Sequence, residues 1–535
     1  MPRIVPSRST HRAFTLALIG CAFAAAQARA ETVTFTIDVT AQVKPISRYI
    51  YGVNEPLGGT SYPNLTFRRM GGNRWTAYNW VNNASNAGSD YIFQNDDYLG
   101  GGNTPGGAVI PAIQNASAQK AGLLLTVPIQ GYVAADKKGD GDVRKTPNYL
   151  HVRFRPEKAV KGSAFTLTPP NTTIFQDEFV NWVKTKYPYS QTDPARPIWF
   201  SLDNEPDLWA ETHKEVHPNA PTYAELVSKG SAYAAAIKAV APKALVFGPV
   251  SYGWYGYVRL QGAPDANDRD FLSFYLQQMK AKSAAAHKRL LDVLDLHWYP
   301  EAHVGDYKTG IPTDGNNTSP AVVAARVQTP RSLWDPTYVE NSWITKDWLG
   351  GAIKLIPRMQ AKIAATWPGT NLAFTEYNYG AGRHISGALA QADVLGIFGK
   401  YGVFAAMQFP LLTQPETFVH GAFMMYRDYD GSNASFGDRS VQATTTSTVD
   451  TSVYASRDST NARRIVVVAI NKTDHAITAA VRLAHAAALK SGKAFRLTAA
   501  SPTPAAAGAI TLKTATSFNY VMPAYSVHTI ELTTN

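Results

Sequence analysis

The chain has 535 residues, 45% apolar and 17% charged, which suits a packed globular protein larger than one ordinary domain and excludes a disordered or fibrous one. Its net charge of +11 includes Arg3, Arg8, Arg12 and Arg29, which lie in a stretch without Asp or Glu, so the chain beyond residue 30 carries +7 (11 − 4). No Lys/Arg run or nucleic-acid motif accompanies that charge, so a solvated basic surface is expected and no nucleic-acid partner.

Residues 1–30 read as an export signal: a basic start, an apolar stretch from Ala13 to Ala26, and Ala28-Arg29-Ala30 as a small-x-small cleavage site. The apolar stretch is short for a membrane span, and no later segment offers one. The expectation is a secreted protein, extracellular or periplasmic. Leu18-Ile19-Gly20-Cys21 also resembles a lipoprotein cleavage box, and the alternative is a lipid anchor on Cys21. Cys21 is the only cysteine, so once the signal is removed no disulfide, thiol nucleophile or cysteine metal site is available.

Residues 31–45 open with Thr32-Val33-Thr34-Phe35-Thr36-Ile37-Asp38-Val39, an alternating strand. From 46 to 430, short apolar runs alternate with helical patterns. Candidate strands are 49–53, 66–70, 123–129, 198–202, 245–248, 293–297, 372–375 and 403–409; candidate helices are 177–186, 223–240, 270–282, 348–367 and 387–401. Eight buried strands, most followed by a helix, give the count of a (β/α)₈ TIM barrel, an α/β fold. A doubly wound open sheet shares the alternation, but no glycine-rich phosphate loop follows the first strand. Residues 431–535 change character. Five short runs (464–470, 477–483, 494–498, 518–522, 526–532) between Ala/Pro/Gly/Thr-rich turns predict an accessory all-β sandwich, completed by the 31–45 strand.

The fourth candidate strand ends in Asp203-Asn204-Glu205-Pro206 and the seventh in Thr375-Glu376-Tyr377. Barrel active sites lie at C-terminal strand ends, and strands four and seven face each other across the mouth. Glycoside cleavage needs such a carboxyl pair, one to protonate the leaving oxygen and one to attack or stabilise the anomeric carbon. Glu205 is read as acid/base and Glu376 as nucleophile. Burial and the charge of Glu376 are expected to raise the pKa of Glu205. Asn204, Arg69, Tyr299 and Tyr377 are candidates to bind sugar hydroxyls, and Trp80, Trp209 and Trp298 to stack on sugar rings.

Ile50-Tyr51-Gly52-Val53-Asn54, Arg69-Met70-Gly71-Gly72-Asn73-Arg74, Tyr78-Asn79-Trp80, Asn82-Asn83 and Ser85-Asn86-Ala87-Gly88 resemble glycoside hydrolase family 44. So do Asp203-Asn204-Glu205-Pro206, Phe374-Thr375-Glu376-Tyr377, Phe423-Met424-Met425-Tyr426-Arg427 and Tyr429-Asp430-Gly431. The resemblance implies a retaining endo-β-1,4-glucanase or xyloglucanase built as a barrel and a β-sandwich, with the acid/base and nucleophile roles falling on Glu205 and Glu376. It also implies that structural calcium is possible. Asp136, Asp140 and Asp142, or Asp428, Asp430 and Asn433, or Glu55, Asp96 and Asp97 are oxygen-rich candidates, none with an EF-hand spacing, and no ligands are assigned. No cofactor is expected for catalysis. The partner expected is a β-glucan polysaccharide, met by a monomer. Rival readings are a non-catalytic carbohydrate-binding protein on the same scaffold and an endo-glycanase for xylan or mannan. A serine hydrolase would need a Gly-x-Ser-x-Gly elbow, which is missing.

Overall fold

The structure, a computed structural model, describes residues 31–55, 64–305, 310–311, 317–411 and 415–535. Residues 1–30, read above as an export signal, and with them Cys21, lie outside the described residues. The first strand is β1 (Glu31–Asp38). The next eight are β2 (Gly52–Asn54), β3 (Phe67–Met70), β4 (Gly122–Val127), β5 (Ile198–Leu202), β6 (Val246–Ser251), β7 (Val293–Trp298), β8 (Asn371–Tyr377) and β9 (Ala405–Gln408), and these close into a parallel barrel. Helices α1 (Ile110–Ala118), α2 (Gln176–Lys186), α3 (Tyr223–Val240), α4 (Phe271–Ala285), α5 (Leu355–Thr366) and α6 (Ile385–Tyr401) alternate with the strands from β3 onward, and α7 (Thr417–Arg427) follows β9.

Local sequence explains the helix ends. The Thr222 side chain accepts from the Glu225 amide at the start of α3, and Asp270 accepts from the Ser273 amide before α4, both satisfying first-turn donors. The pattern over 348–367 does not form one helix. A π-helical turn, Ile344–Leu349, ends at Gly350 (φ 63°), and the chain restarts at Leu355 after a second left-handed residue, Lys354 (φ 46°). A glycine pair at 350–351 allows that break, which the apolar period alone conceals.

The lower end of the barrel is plugged by aromatics. Trp199 packs against Phe67, Phe247 and Phe404 with ring centroids 5.3, 5.9 and 5.7 Å apart. Above the plug the interior turns polar: Thr126 and Ser201 touch at 3.4 Å, and Arg69, Asp295 and Thr375 are buried at higher levels. Polar groups toward the C-terminal strand ends and hydrocarbon toward the other place the chemistry at the mouth.

The second layer system runs from β10 (Arg439–Thr445) through β11 (Thr451–Arg457), β12 (Arg464–Asn471), β13 (Ile477–Ala484), β14 (Leu489–Thr498), β15 (Ser501–Ala509), β16 (Leu512–Thr514) and β17 (Ser517–Met522) to β18 (Ser526–Thr534). Its order is β15-β14-β18-β12-β11-β10-β1-β13-β17-β16. The sheet folds over at β10, which pairs with β11 through Arg439–Val441 and with β1 through Gln442–Thr445. Val33, Phe35 and Ile37 of β1 alternate into the sandwich core, as their period predicts. Four strands, β10, β11, β15 and β16, were not foreseen. They are rich in Ser, Thr, Pro and Ala, and β15 (SPTPAAAGA) tolerates prolines because it is an edge.

The two parts share a hydrophobic core. Val466, Val468, Ile470, Leu497 and Val527 of the sandwich pack with barrel residues. Asp393 of α6 meets Lys472 at 3.0 Å and accepts from the Tyr454 hydroxyl, all within the interface.

Candidate active site

Glu205 follows β5 in a turn that holds both Asp203 (φ 68°) and Glu205 (φ 45°) in the left-handed region. Asp203 fixes the turn by accepting from the Ile129 amide at 2.6 Å and the Asn204 amide at 2.9 Å, and the Glu205 amide donates to the Val250 carbonyl at 3.0 Å. Two non-glycine residues at positive φ are uncommon, and such strain persists where surrounding bonds enforce it. The turn lifts the Glu205 side chain over the barrel axis, where it is 21% exposed.

Glu376 reaches the same point from β8 by a β-bulge. The pairing of β7 with β8 slips between Leu296 and His297, so that His297 lies opposite Glu376. Bulges re-aim side chains in this way. One oxygen from each glutamate and a ring nitrogen of His297 lie within 4.8 Å of one another.

Arg69 of β3 organises the site. Its guanidinium donates to Glu376 Oε1 at 2.6 Å, Asn204 Oδ1 at 2.7 Å and Asn54 Oδ1 at 2.9 Å. The Tyr299 hydroxyl donates to Glu376 Oε2 at 3.0 Å. Glu376 therefore accepts on both oxygens, the bonding expected of an ionised carboxylate. Asn204 turns its oxygen to Arg69 and to the Gly72 amide, 3.2 Å away, which leaves its NH₂ free to be aimed elsewhere.

Burial pushes the pKa of Glu205 up to about 7, with Arg69 opposing and the carboxylate of Asp90 adding to the rise. The negative neighbour expected from the sequence was Glu376; the one found acting on Glu205 is Asp90. Burial also drives His297 down to about 3, against the pull of Glu376, so the imidazole is neutral. Its Nδ1 is 2.8 Å from Glu205 Oε1 and 3.5 Å from Glu376 Oε2. A neutral ring can accept from a protonated Glu205 or donate to an ionised one. The Tyr257 hydroxyl, donating to the His297 carbonyl, anchors this strand end.

The structure thus brings Glu205, Glu376, Asn204, Arg69 and Tyr299 together. It does not bring the remaining candidates to an open surface. Trp80 is buried against Phe179 and Trp182, with its Nε1 donating to the Phe175 carbonyl at 3.3 Å. Trp209 is buried beside His217 and Lys229. Trp298 is buried on the strand face opposite His297, and Tyr377 points out of the barrel against Phe398, its hydroxyl accepting from Gln391 at 2.8 Å. Stacking on a sugar needs a free ring face, which none of these four has. Tyr98, 58% exposed, and Trp348, 40% exposed, are carried instead by loops that follow β3 and β7. Sequence reasoning missed His297, Asn54 and Asp90. For His297 the signal was available, because it ends a barrel strand one step before Trp298.

Two of the three oxygen-rich sets carry their own counter-charges, and the third is held by neutral amides. Arg153 pairs with Asp136 and Asp140 at 2.8 and 2.7 Å, and Arg144 with Asp142 at 2.7 Å. Glu55 pairs with Arg68 and Asp96 with Arg74, both at 2.6 Å. Asp428 accepts from the Asn64 side chain and the Asn433 amide, and Asp430 accepts from two backbone amides of its own turn. As arranged, these carboxylates do not fit a calcium cage, which needs six to eight converging oxygens. Among the described residues, the one group of three or more potential metal ligands is Glu205, His297 and Glu376. No helix among them is long and apolar enough to cross a membrane.

Residues 84–302 match the sequence profile of glycoside hydrolase family 44. Endoglucanase A of Paenibacillus lautus is 40% identical over 529 residues, covering 95% of this chain and 74% of that protein. The Paenibacillus polymyxa family 44 xyloglucanase solved with xyloglucan superposes with a TM-score of 0.89 at 38% identity, over 94% of this chain and 100% of that one. The family 44 endoglucanase of Clostridium thermocellum gives a TM-score of 0.87 at 38% identity, over 94% and 100% of the two chains. Similarity of this extent runs through barrel and sandwich alike, and the chain is a glycoside hydrolase belonging to family 44.

Proposed function

We propose that this chain is a secreted, retaining endo-β-1,4-glucanase of the xyloglucanase type, which cuts internal bonds of plant cell-wall glucans by double displacement. In the first step Glu376 attacks the anomeric carbon while Glu205 passes its proton to the departing glycosidic oxygen. In the second, Glu205 takes a proton from water, and that water displaces Glu376 from the sugar. The observation that carries this reading is the short gap between the carboxyl groups, with oxygens within 4.8 Å. Retaining enzymes hold them about 5–5.5 Å apart, and inverting enzymes leave about 6.5–9.5 Å for a water.

The electrostatics support the same division of labour. A general acid must hold its proton near neutral pH, and Glu205 is pushed up to about 7. Arg69 and Tyr299 fix Glu376 from two sides, which limits the reorganisation needed as it forms the bond. A non-catalytic binding protein has no use for a raised acid beside a cation-paired carboxylate. Glucan as substrate follows the relatives named endoglucanase and xyloglucanase. Export follows from the pattern of residues 1–30. One chain supplies both glutamates, so we expect it to act as a monomer.

The test is hydrolysis of xyloglucan, carboxymethylcellulose, mixed-linkage glucan, xylan and mannan, with proton NMR of the first reducing ends. The expected result is internal cutting of the glucan-backbone polymers with β-anomer appearing first. Glu205→Gln and Glu376→Gln should each lose more than about 10³-fold. Early α-product would overturn retention, and preference for xylan or mannan would overturn the substrate assignment.

A further inference from the structure

α6 starts just after the strand that carries Glu376 and runs back to the opposite end of the barrel. Its 17 residues span roughly 25 Å at about 1.5 Å each. At that far end, between the last turn of α6 and strands β10 and β11, lies a cavity of about 190 Å³. Ile397 and Tyr454 form its apolar floor. Trp334 and Tyr401 form one wall, their ring centroids 6.2 Å apart and their planes inclined by 33°, and both rings are partly open to solvent. Thr444 and Thr448 stand on the opposite rim. Lys400 holds its ammonium 5.6 Å from the Trp334 ring centre and makes a long bond of 3.4 Å to the Ala443 carbonyl. An ammonium has three donors, so hydrogens remain for another acceptor.

We propose that this cavity at the seam of barrel and sandwich is a second, non-catalytic saccharide-binding site, taking one sugar unit of the glucan that the enzyme cuts. The choice of ligand rests on the glucanase reading; the site itself rests on its own geometry. A β-linked glucose unit presents apolar C–H faces and an equatorial belt of hydroxyls. The cavity offers the complement: two inclined, partly exposed aromatic rings, a hydrocarbon floor, and hydroxyl and ammonium groups at the rim. A cavity of about 190 Å³ is somewhat larger than the roughly 150 Å³ that admits a benzene ring, room for one sugar ring. Lys400, with its ammonium over Trp334, is the charged group in the lining, and it can donate to a sugar hydroxyl. Placed a barrel's length from the mouth, the site cannot be a subsite of the cleft. It would hold the enzyme on a polymer while the cleft engages another stretch of chain, raising local substrate concentration without changing the chemistry.

The test is isothermal titration of a cello-oligosaccharide, and separately a xyloglucan oligosaccharide, into the full chain carrying Glu205→Gln. At least one sugar should show two sites per chain. Adding Trp334→Ala should weaken one site about tenfold or more and leave the other. Thr444→Leu, which replaces an exposed rim hydroxyl by bulkier hydrocarbon and leaves the aromatic wall alone, should do the same, and it decides the matter if Trp334→Ala does not fold. With Glu205 intact, both variants should cut a short soluble oligosaccharide within twofold of the unaltered enzyme but lose rate on polymer. A single site in the parent protein for both sugars, or a second site unmoved by the two variants, overturns the proposal. Failure of the unaltered enzyme to cut any β-1,4-glucan would instead strike the glucanase reading, and is scored in a separate assay.

Discussion

Gly71→Ala should disable the site without altering a group that touches substrate. Gly71 is not held at positive φ, so its backbone accepts alanine. The obstacle is Arg69: a Cβ on residue 71 would stand 2.5 Å from Arg69 Nε and closer still to Cζ and Nη1. Favourable heavy-atom contact begins at about 3.5 Å, so the guanidinium must withdraw by about 1 Å. Its bonds to Glu376, Asn204 and Asn54, now 2.6, 2.7 and 2.9 Å, would open to roughly 3.6 Å or more, beyond hydrogen bonding. Hydrogen bonds to charged groups contribute about 1.5–3 kcal/mol each, and misplacement by about 1 Å costs about 10²-fold in rate. Together these give a fall in kcat/KM of about 10²–10³-fold. The assay is steady-state hydrolysis of a soluble glucan by wild type, Gly71→Ala, Arg69→Lys and the double variant. If the effect passes through Arg69, Gly71→Ala should cost little once the guanidinium is gone. Losses that simply add, or a Gly71→Ala enzyme within threefold of wild type, would refute the reasoning.

Ionisation of Glu205 should limit activity above neutrality: kcat/KM is expected to fall about tenfold per pH unit above about 7, the value to which burial pushes the acid. The same shift makes a stability prediction. Because the folded-state pKa lies above the unfolded one, the contribution of Glu205 is complete below about 4.5 and is lost as pH rises through about 7. A rise from 4.5 to about 7 corresponds to about 3 kcal/mol. Urea unfolding should therefore show Glu205→Gln gaining on wild type by about that amount between pH 4 and pH 8, and a constant difference would contradict it. Tyr299→Phe removes one donor from Glu376 and should lower kcat/KM by about 10- to 100-fold; an unchanged value would detach Tyr299 from the nucleophile. At the seam, Lys472→Met strands the buried Asp393 carboxylate and should cost about 3–5 kcal/mol, most of it recovered by adding Asp393→Asn. Chemical denaturation of the two variants checks both statements.

The two catalytic candidates were legible because several local signals coincide at each: an apolar run, a terminating polar residue, and a position in the count of eight. Pro206 after Glu205 and the paired spacing of strands four and seven did the rest. The sandwich was legible as a class but not in full, since β10 and β11 carry their inward residues (Val441 and Ala443; Val453 and Ala455) among serines and threonines that mimic loop composition. Asp90 was out of reach for another reason. It acts on Glu205 across 115 residues of sequence (205 − 90), and nothing local marks a carboxylate whose influence depends on where a long loop folds back.

The misplaced aromatics have a more specific cause. Strand position says that a residue is near the mouth, but the pleat decides whether it faces the axis. In β7, His297 faces Glu205, so its neighbour Trp298 must face the helices, and Tyr299 returns to the axis to meet Glu376. Strict alternation in β8 would turn Thr375 and Tyr377 inward and Glu376 outward. The bulge reverses this at the last step. Phe374 and Tyr377 both pack on Phe398 of α6, with centroids 5.6 and 5.3 Å away, and Glu376 is left facing in. The nucleophile thus reaches the axis through an irregularity that no periodicity count contains. With the bulge placed at Thr375, pairing Glu376 with Arg69 commits Tyr377 to the helix layer.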